Sequence, residues 1–128
     1  GHPVACAVAL KTLEIYEELN LFSHVEKIAP KFQERVNKLG AFEFVGEARG
    51  IGLIAALEIV KNKGTKENFD PYGKVGKQIA EICQKNGLIV RAIGDAIALC
   101  PPLIITEEQV DEMFDILEAS LTEFKKSL

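Results

Sequence analysis

Apolar residues recur at three- and four-residue spacing in four stretches of this chain, with short dense apolar runs between them. That pattern predicts four helices and four strands. The first stretch runs from Pro3 through Glu18 and carries Val4, Val8, Ile15 and Leu19, with Ala7, Leu10 and Leu13 widening the face. Pro3 suits a first helical turn, where its missing N–H is not needed. Residues 5–10 are apolar almost all round, so the expected cover is something large, a part of the protein outside this sequence. Asn20 is the expected stop, with Leu21 and Phe22 pinning the turn. A second helix is predicted from about Ser23, with Val25, Ile28, Phe32, Val36 and Leu39 inward and Gly40 closing it. Pro30 falls inside this pattern and either kinks the helix or marks its first turn. His24 lies on the polar side, where a solvated surface histidine is expected.

Phe42, Phe44 and Val45 read as a strand and Gly46–Gly52 as a turn. Leu53–Val60, nearly continuous in apolar residues, reads as a central strand covered on both faces. Gly50-x-Gly52 lacks the third glycine and the following helix of a dinucleotide fingerprint, so a tight hairpin or a bulge is expected there. The polar run Lys61–Asp70 predicts a surface loop. Pro71 and Tyr72 then open a third helix with Val75, Ile79, Ile82 and Cys83 on one face, and Lys85-Asn86-Gly87 ends it. Two short strands, Leu88–Val90 and Ala96–Cys100, flank a connection carrying Gly94-Asp95, and Pro101-Pro102 stops the second. Thr106-Glu107-Glu108-Gln109 matches a capping box, with Ile105 and Val110 as the accompanying staple. The last helix turns Val110, Met113, Phe114, Leu117, Leu121 and Phe124 inward, and its acidic start and Lys125-Lys126 end complement the helix dipole. The order α-α-β-β-α-β-β-α predicts an α+β fold: a small, mostly antiparallel sheet with helices on one face.

Composition narrows the classes. At 128 residues, 48% hydrophobic and 27% charged, the chain is long enough for one domain with a real core. No apolar run approaches the roughly 20 residues of a membrane span. A net charge of −4, with lysines interleaved with acids and no aromatic platform, argues against nucleic acid as a partner. Cys6, Cys83 and Cys100 lie far apart in apolar settings, which predicts three reduced core residues in a cytoplasmic protein and no metal site. The chain opens Gly1-His2-Pro3 and its only methionine is Met113, so it is expected to be part of something longer.

The candidate chemistry sits in the last hairpin. Arg91, one of three arginines, stands among Val90, Ala92 and Ile93. A guanidinium in apolar surroundings is costly unless an anion meets it. The anion is either an external ligand or an internal acid, Asp95 or one on a helix. Arg49, in a turn beside Glu47, is expected to be structural, and no catalytic set is visible among the residues.

Gly1-His2-Pro3 before an alanine-rich helix, Arg49-Gly50-Ile51-Gly52-Leu53, Gly87-Leu88-Ile89-Val90-Arg91 and Cys100-Pro101-Pro102-Leu103-Ile104-Ile105-Thr106 together resemble one family. The chain resembles the C-terminal small domain of class III (ω-type) pyridoxal-phosphate aminotransferases over all 128 residues, most nearly the ω-amino acid:pyruvate and amine transaminases. The resemblance implies the small domain of fold type I, closing over a large cofactor domain absent from residues 1–128, with active sites at a homodimer interface. In the family, the imine lysine, the aspartate on the pyridinium nitrogen and the threonine on the phosphate all precede Gly-His-Pro. Pyridoxal 5'-phosphate is therefore expected in the full-length enzyme and not on this chain, which alone is expected to be inactive. Arg91 matches the arginine that grips the substrate carboxylate, a task suited to a rigid fork of donors. His2 would lie near the active-site entrance, though packing at the helix start is the expected role. The implied partners are a small amine and a keto acid, with no membrane. A free-standing anion-binding or dimerisation domain, or a class III aminomutase or decarboxylase, stays open as the alternative.

Overall fold

A computed structural model describes residues 1–128. Its elements follow the predicted order: α1 (Pro3–Glu18), α2 (Leu21–Leu39), β1 (Val45–Ile51), β2 (Ile54–Ile59), α3 (Lys74–Lys85), β3 (Arg91–Ile93), β4 (Ala96–Leu99) and α4 (Glu107–Lys125). The four strands form one antiparallel sheet in the order β1-β2-β4-β3. The fold is therefore α+β, with α2, α3 and α4 packed on one sheet face. Phe32, Val36, Leu57, Ile79, Ile97, Phe114, Leu117 and Leu121, all fully buried, fill the space between the helices and the sheet. No helix is long and apolar enough to cross a membrane.

Local chemistry explains the element ends. Thr106 Oγ1 accepts from the Gln109 backbone N–H at 3.2 Å and the Gln109 side chain accepts from the Thr106 N–H at 3.0 Å, the reciprocal box that the sequence predicts. Gly87, at φ 94°, lets Leu88 N–H reach back to Cys83 C=O at 2.8 Å and so closes α3. Asn20 takes a left-handed conformation between α1 and α2. Helix α2 runs unbroken through Pro30, which faces solvent, where water can serve the carbonyl that proline leaves without a donor.

Several expectations need correction. Gly46–Ile51 is strand rather than turn; the hairpin turn is confined to Gly52 (φ 58°) and Leu53, and a bulge falls between Val45 and Glu47. Strand β2 is inner but not covered on both faces. Ala55, Leu57 and Ile59 are buried under the helices, whereas Ile54 on the opposite face is exposed. Leu88–Val90 is a loop, so the third strand begins at Arg91, and α3 begins at Lys74 rather than at Pro71 and Tyr72. His24 is half-buried, and its Nε2 lies 2.9 Å from the Ile105 carbonyl oxygen, tying α2 to the approach of α4.

Helix α1 buries no residue, and Val4, Val8, Leu10 and Leu13 are each more than half exposed. Residues 5–10, apolar almost all round, thus have no cover within residues 1–128. Only Cys83 is a core cysteine; Cys6 and Cys100 are exposed. Burial pushes the Cys83 thiol pKa up, which suppresses the reactive thiolate. Under native conditions the chain should therefore take up two equivalents of a thiol-alkylating reagent, the third reacting only after denaturation. Mass spectrometry of the labelled chain checks this, and native labelling of Cys83 would contradict it.

Candidate functional site: the open sheet face and Arg91

Strand alternation sends one set of side chains to the helices and the other to an uncovered face. The open set is Glu47, Arg49 and Ile51 on β1, Ile54, Ala56 and Glu58 on β2, Ala96 and Ala98 on β4, and Arg91 and Ile93 on β3. The register places Arg91, Ala98, Ala56 and Arg49 in a single row across all four strands. Two arginines thus flank a floor of two alanines. Their backbones stand about 14 Å apart, three strand spacings of roughly 4.8 Å.

The two arginines differ in their partners. Arg49 donates to Glu58 at 2.6 Å and lies 3.9 Å from Glu47; this pairing with Glu58 raises its pKa further. Glu47 also meets Lys66 at 3.7 Å. Arg49 is therefore held in an internal ion network, the structural role expected of it. Arg91 is exposed and has no carboxylate within 4.0 Å and no side-chain hydrogen bond. Asp95, its expected internal partner, is 1% exposed and engaged elsewhere: Oδ2 accepts from Gly73 N–H at 3.0 Å and Oδ1 from Gly76 N–H at 2.8 Å. Of the alternatives for Arg91, internal pairing is thus not realised in this chain.

Beside Arg91 lies a groove of about 610 Å³ with mainly apolar walls, among them Leu88, Val90, Leu99, Pro101, Ile105 and Met113. An unpaired guanidinium at the edge of such a groove suits a small anion with an apolar stem. The structure does not bring His2 or His24 to this place. His2 is exposed ahead of α1 and contributes its backbone carbonyl to Cys6 N–H rather than a packed side chain. No cluster of three His, Cys, Asp or Glu side chains could hold a metal ion. The sequence marks Asp95 as part of a turn and as a possible partner for Arg91, not as a helix cap. Its position just after Gly94 was the available sign of a turn anchor, but its target lies some twenty residues away.

The fit to pyridoxal phosphate can be tested on the lysines. Eleven of the twelve are exposed. The other, Lys31, is half-buried between Asp111 at 2.6 Å and Glu107 at 3.6 Å, and the Asp111 hydrogen bond moves its pKa up. An imine-forming lysine needs the opposite shift. The residues present do not fit the anchoring of that cofactor.

Residues 1–121 match the family model for class-III aminotransferases, and the chain belongs to that family. It is 44% identical over 126 residues to the mitochondrial γ-aminobutyrate transaminase 1 of Solanum lycopersicum, covering 98% of this chain and 24% of that protein. It is 46% identical over 122 residues to the putrescine–pyruvate aminotransferase of Pseudomonas aeruginosa, covering 94% of this chain and 26% of that one. Among solved structures, a PMP-bound aminotransferase from Vibrio fluvialis superposes with a TM-score of 0.92 at 44% identity, over 98% of this chain and 28% of the other. The chain thus spans about a quarter of the length of these relatives.

Proposed function

We propose that this chain is the C-terminal small domain of a pyridoxal-phosphate-dependent aminotransferase, with the large cofactor domain outside residues 1–128. The intact enzyme moves an amino group between an amine or ω-amino acid and a keto acid such as pyruvate, and works as a homodimer. The names of the tomato and Pseudomonas relatives support these substrate classes, and the PMP-bound Vibrio structure supports the cofactor. When bound, the cofactor supplies an electron sink. No step of that chemistry runs through the residues of this chain, whose part is to bind and orient substrate. By itself the chain is inactive.

The observation that carries this reading is the unpaired state of Arg91 on the open face, with Asp95 already engaged. A free, rigid fork of N–H donors is complementary to a carboxylate. The groove next to it accommodates the apolar remainder of the substrate.

In the full-length enzyme, Arg91→Ala should raise KM for carboxylate-bearing acceptors about tenfold or more, as expected for a lost charged hydrogen-bond pair. Cofactor absorbance and turnover of substrates without a carboxylate should be unchanged. Unaltered acceptor kinetics would take Arg91 out of the reaction.

A further inference from the structure

Strand β3 is three residues long, lies at the sheet edge and pairs only with β4. Its register with Ala98 puts Arg91 on the open face, but so short a strand is held by pairing on one side only. A further constraint comes from α3, which holds the hairpin at both ends. At its C-terminus, Leu88 N–H bonds Cys83 C=O at 2.8 Å and sets the approach to Arg91. At its N-terminus the hold is Asp95.

Helix α3 has no capping side chain of its own; Gly73, in a left-handed conformation at φ 85°, occupies the N-cap. The cap is supplied from the hairpin turn instead. Both Asp95 carboxylate oxygens accept helix N–H groups, from Gly73 and from Gly76, and the buried charge meets the positive end of the α3 dipole rather than a cation. The Asp95 backbone carbonyl accepts from Ile59 N–H at 3.0 Å, so one residue joins α3, β2 and the β3–β4 turn. The surroundings admit no slack. Gly94 sits at φ 60° under the Tyr72 ring, and at Gly76 an added Cβ would run into the Gly94 carbonyl.

We infer that Asp95 is a positioning residue: by capping α3 from the hairpin turn, it fixes the angle at which Arg91 presents its guanidinium to a substrate carboxylate. This rests on the proposed role of Arg91. The cap holds one end of the strand and Arg91 stands at the other, so loosening the turn lets the guanidinium sweep a wider arc. Carboxylate-bearing substrates then lose affinity, while substrates without a carboxylate are indifferent.

The test uses the full-length enzyme, with Asp95→Asn, Tyr72→Ala and Arg91→Ala compared on a carboxylate-bearing acceptor and on an aldehyde acceptor of similar size. In Asp95→Asn the amide turns one N–H toward a backbone donor. KM for the carboxylate acceptor should rise about fivefold, with kcat and the aldehyde kinetics changed less than about twofold. Should that variant not fold, Tyr72→Ala decides the matter. Tyr72 is exposed and covers Gly94, so its loss loosens the same joint without stranding a buried polar group, and it should shift KM in the same direction by about twofold or more. Equal losses on both acceptors, or none in a folded variant, would overturn the positioning role. If Arg91→Ala itself left the carboxylate preference intact, the reading of Arg91 would fail instead, and Asp95 would have nothing to position.

Discussion

Replacing Phe114 with alanine should destabilise the fold by about 3–5 kcal/mol, the range for deleting a fully buried aromatic ring. Phe114 is wholly buried on α4 and meets Phe32 of α2 edge-to-face, with centroids 5.2 Å apart and planes at 72°. Arg35 places its guanidinium carbon 5.6 Å from the centre of the same ring, while its nitrogens reach Asp115 at 2.5 Å and Asp111 at 3.5 Å. The ring is thus both the main filler between α2 and α4 and the platform for the cation that bridges them. Alanine removes the buried area, leaves a cavity beside Phe32, and takes away the cation–π partner. For a domain whose total stability is of the order of 5–15 kcal/mol, this is a large fraction. Urea denaturation followed by far-UV circular dichroism measures it as a fall in midpoint at unchanged slope. A loss below about 1.5 kcal/mol would mean that the two helices close over the gap.

Gly76→Ala is the second large effect, and two opposed terms decide its sign. Alanine inside a helix gains about 1 kcal/mol over glycine. Against this, the new Cβ would overlap the Gly94 carbonyl oxygen and come within 3.0 Å of the Asp95 Cα. These are backbone atoms of a tethered turn, so nothing flexible can yield. Overpacking should win, for a net loss of about 1–3 kcal/mol with the turn displaced from α3. Chemical denaturation gives the stability, and the Gly76 amide signal in NMR spectra reports whether its hydrogen bond to Asp95 survives. A neutral or stabilising outcome would show that the joint between α3 and the hairpin is softer than its geometry.

Features written in local sequence were legible in advance. Thr106 and Gln109 are three apart and cap each other, and the inward faces of α2, α3 and α4 follow a single period. The alternation Ala96-Ile97-Ala98-Leu99 likewise carries its own face assignment. What was not legible depends on partners distant in the chain. The Gly46–Ile51 segment contains two glycines and two charged residues, so it reads as a turn; only pairing with β2 makes it a strand. His24 looks solvated on its helix until the Ile105 carbonyl, 81 residues later, arrives beside it. Its apolar neighbours mark Arg91 as a cation needing an anion, and leave open whether that anion is internal or external. Val90 and Ala92 turn toward the core, while Arg91 projects to the open side with Ile93. The cap role of Asp95 is not legible either, since its partners are N–H groups at the start of a helix, which no side-chain pattern announces.

Helix α1 contributes no side chain to the core, and the left-handed Asn20 separates it from everything that does. The cooperative unit of this chain therefore begins at Leu21, with the preceding residues behaving as an appended arm. Substitutions on that arm should leave the free energy of unfolding of the rest almost untouched. Changes along that arm therefore leave the hairpin that carries the arginine undisturbed.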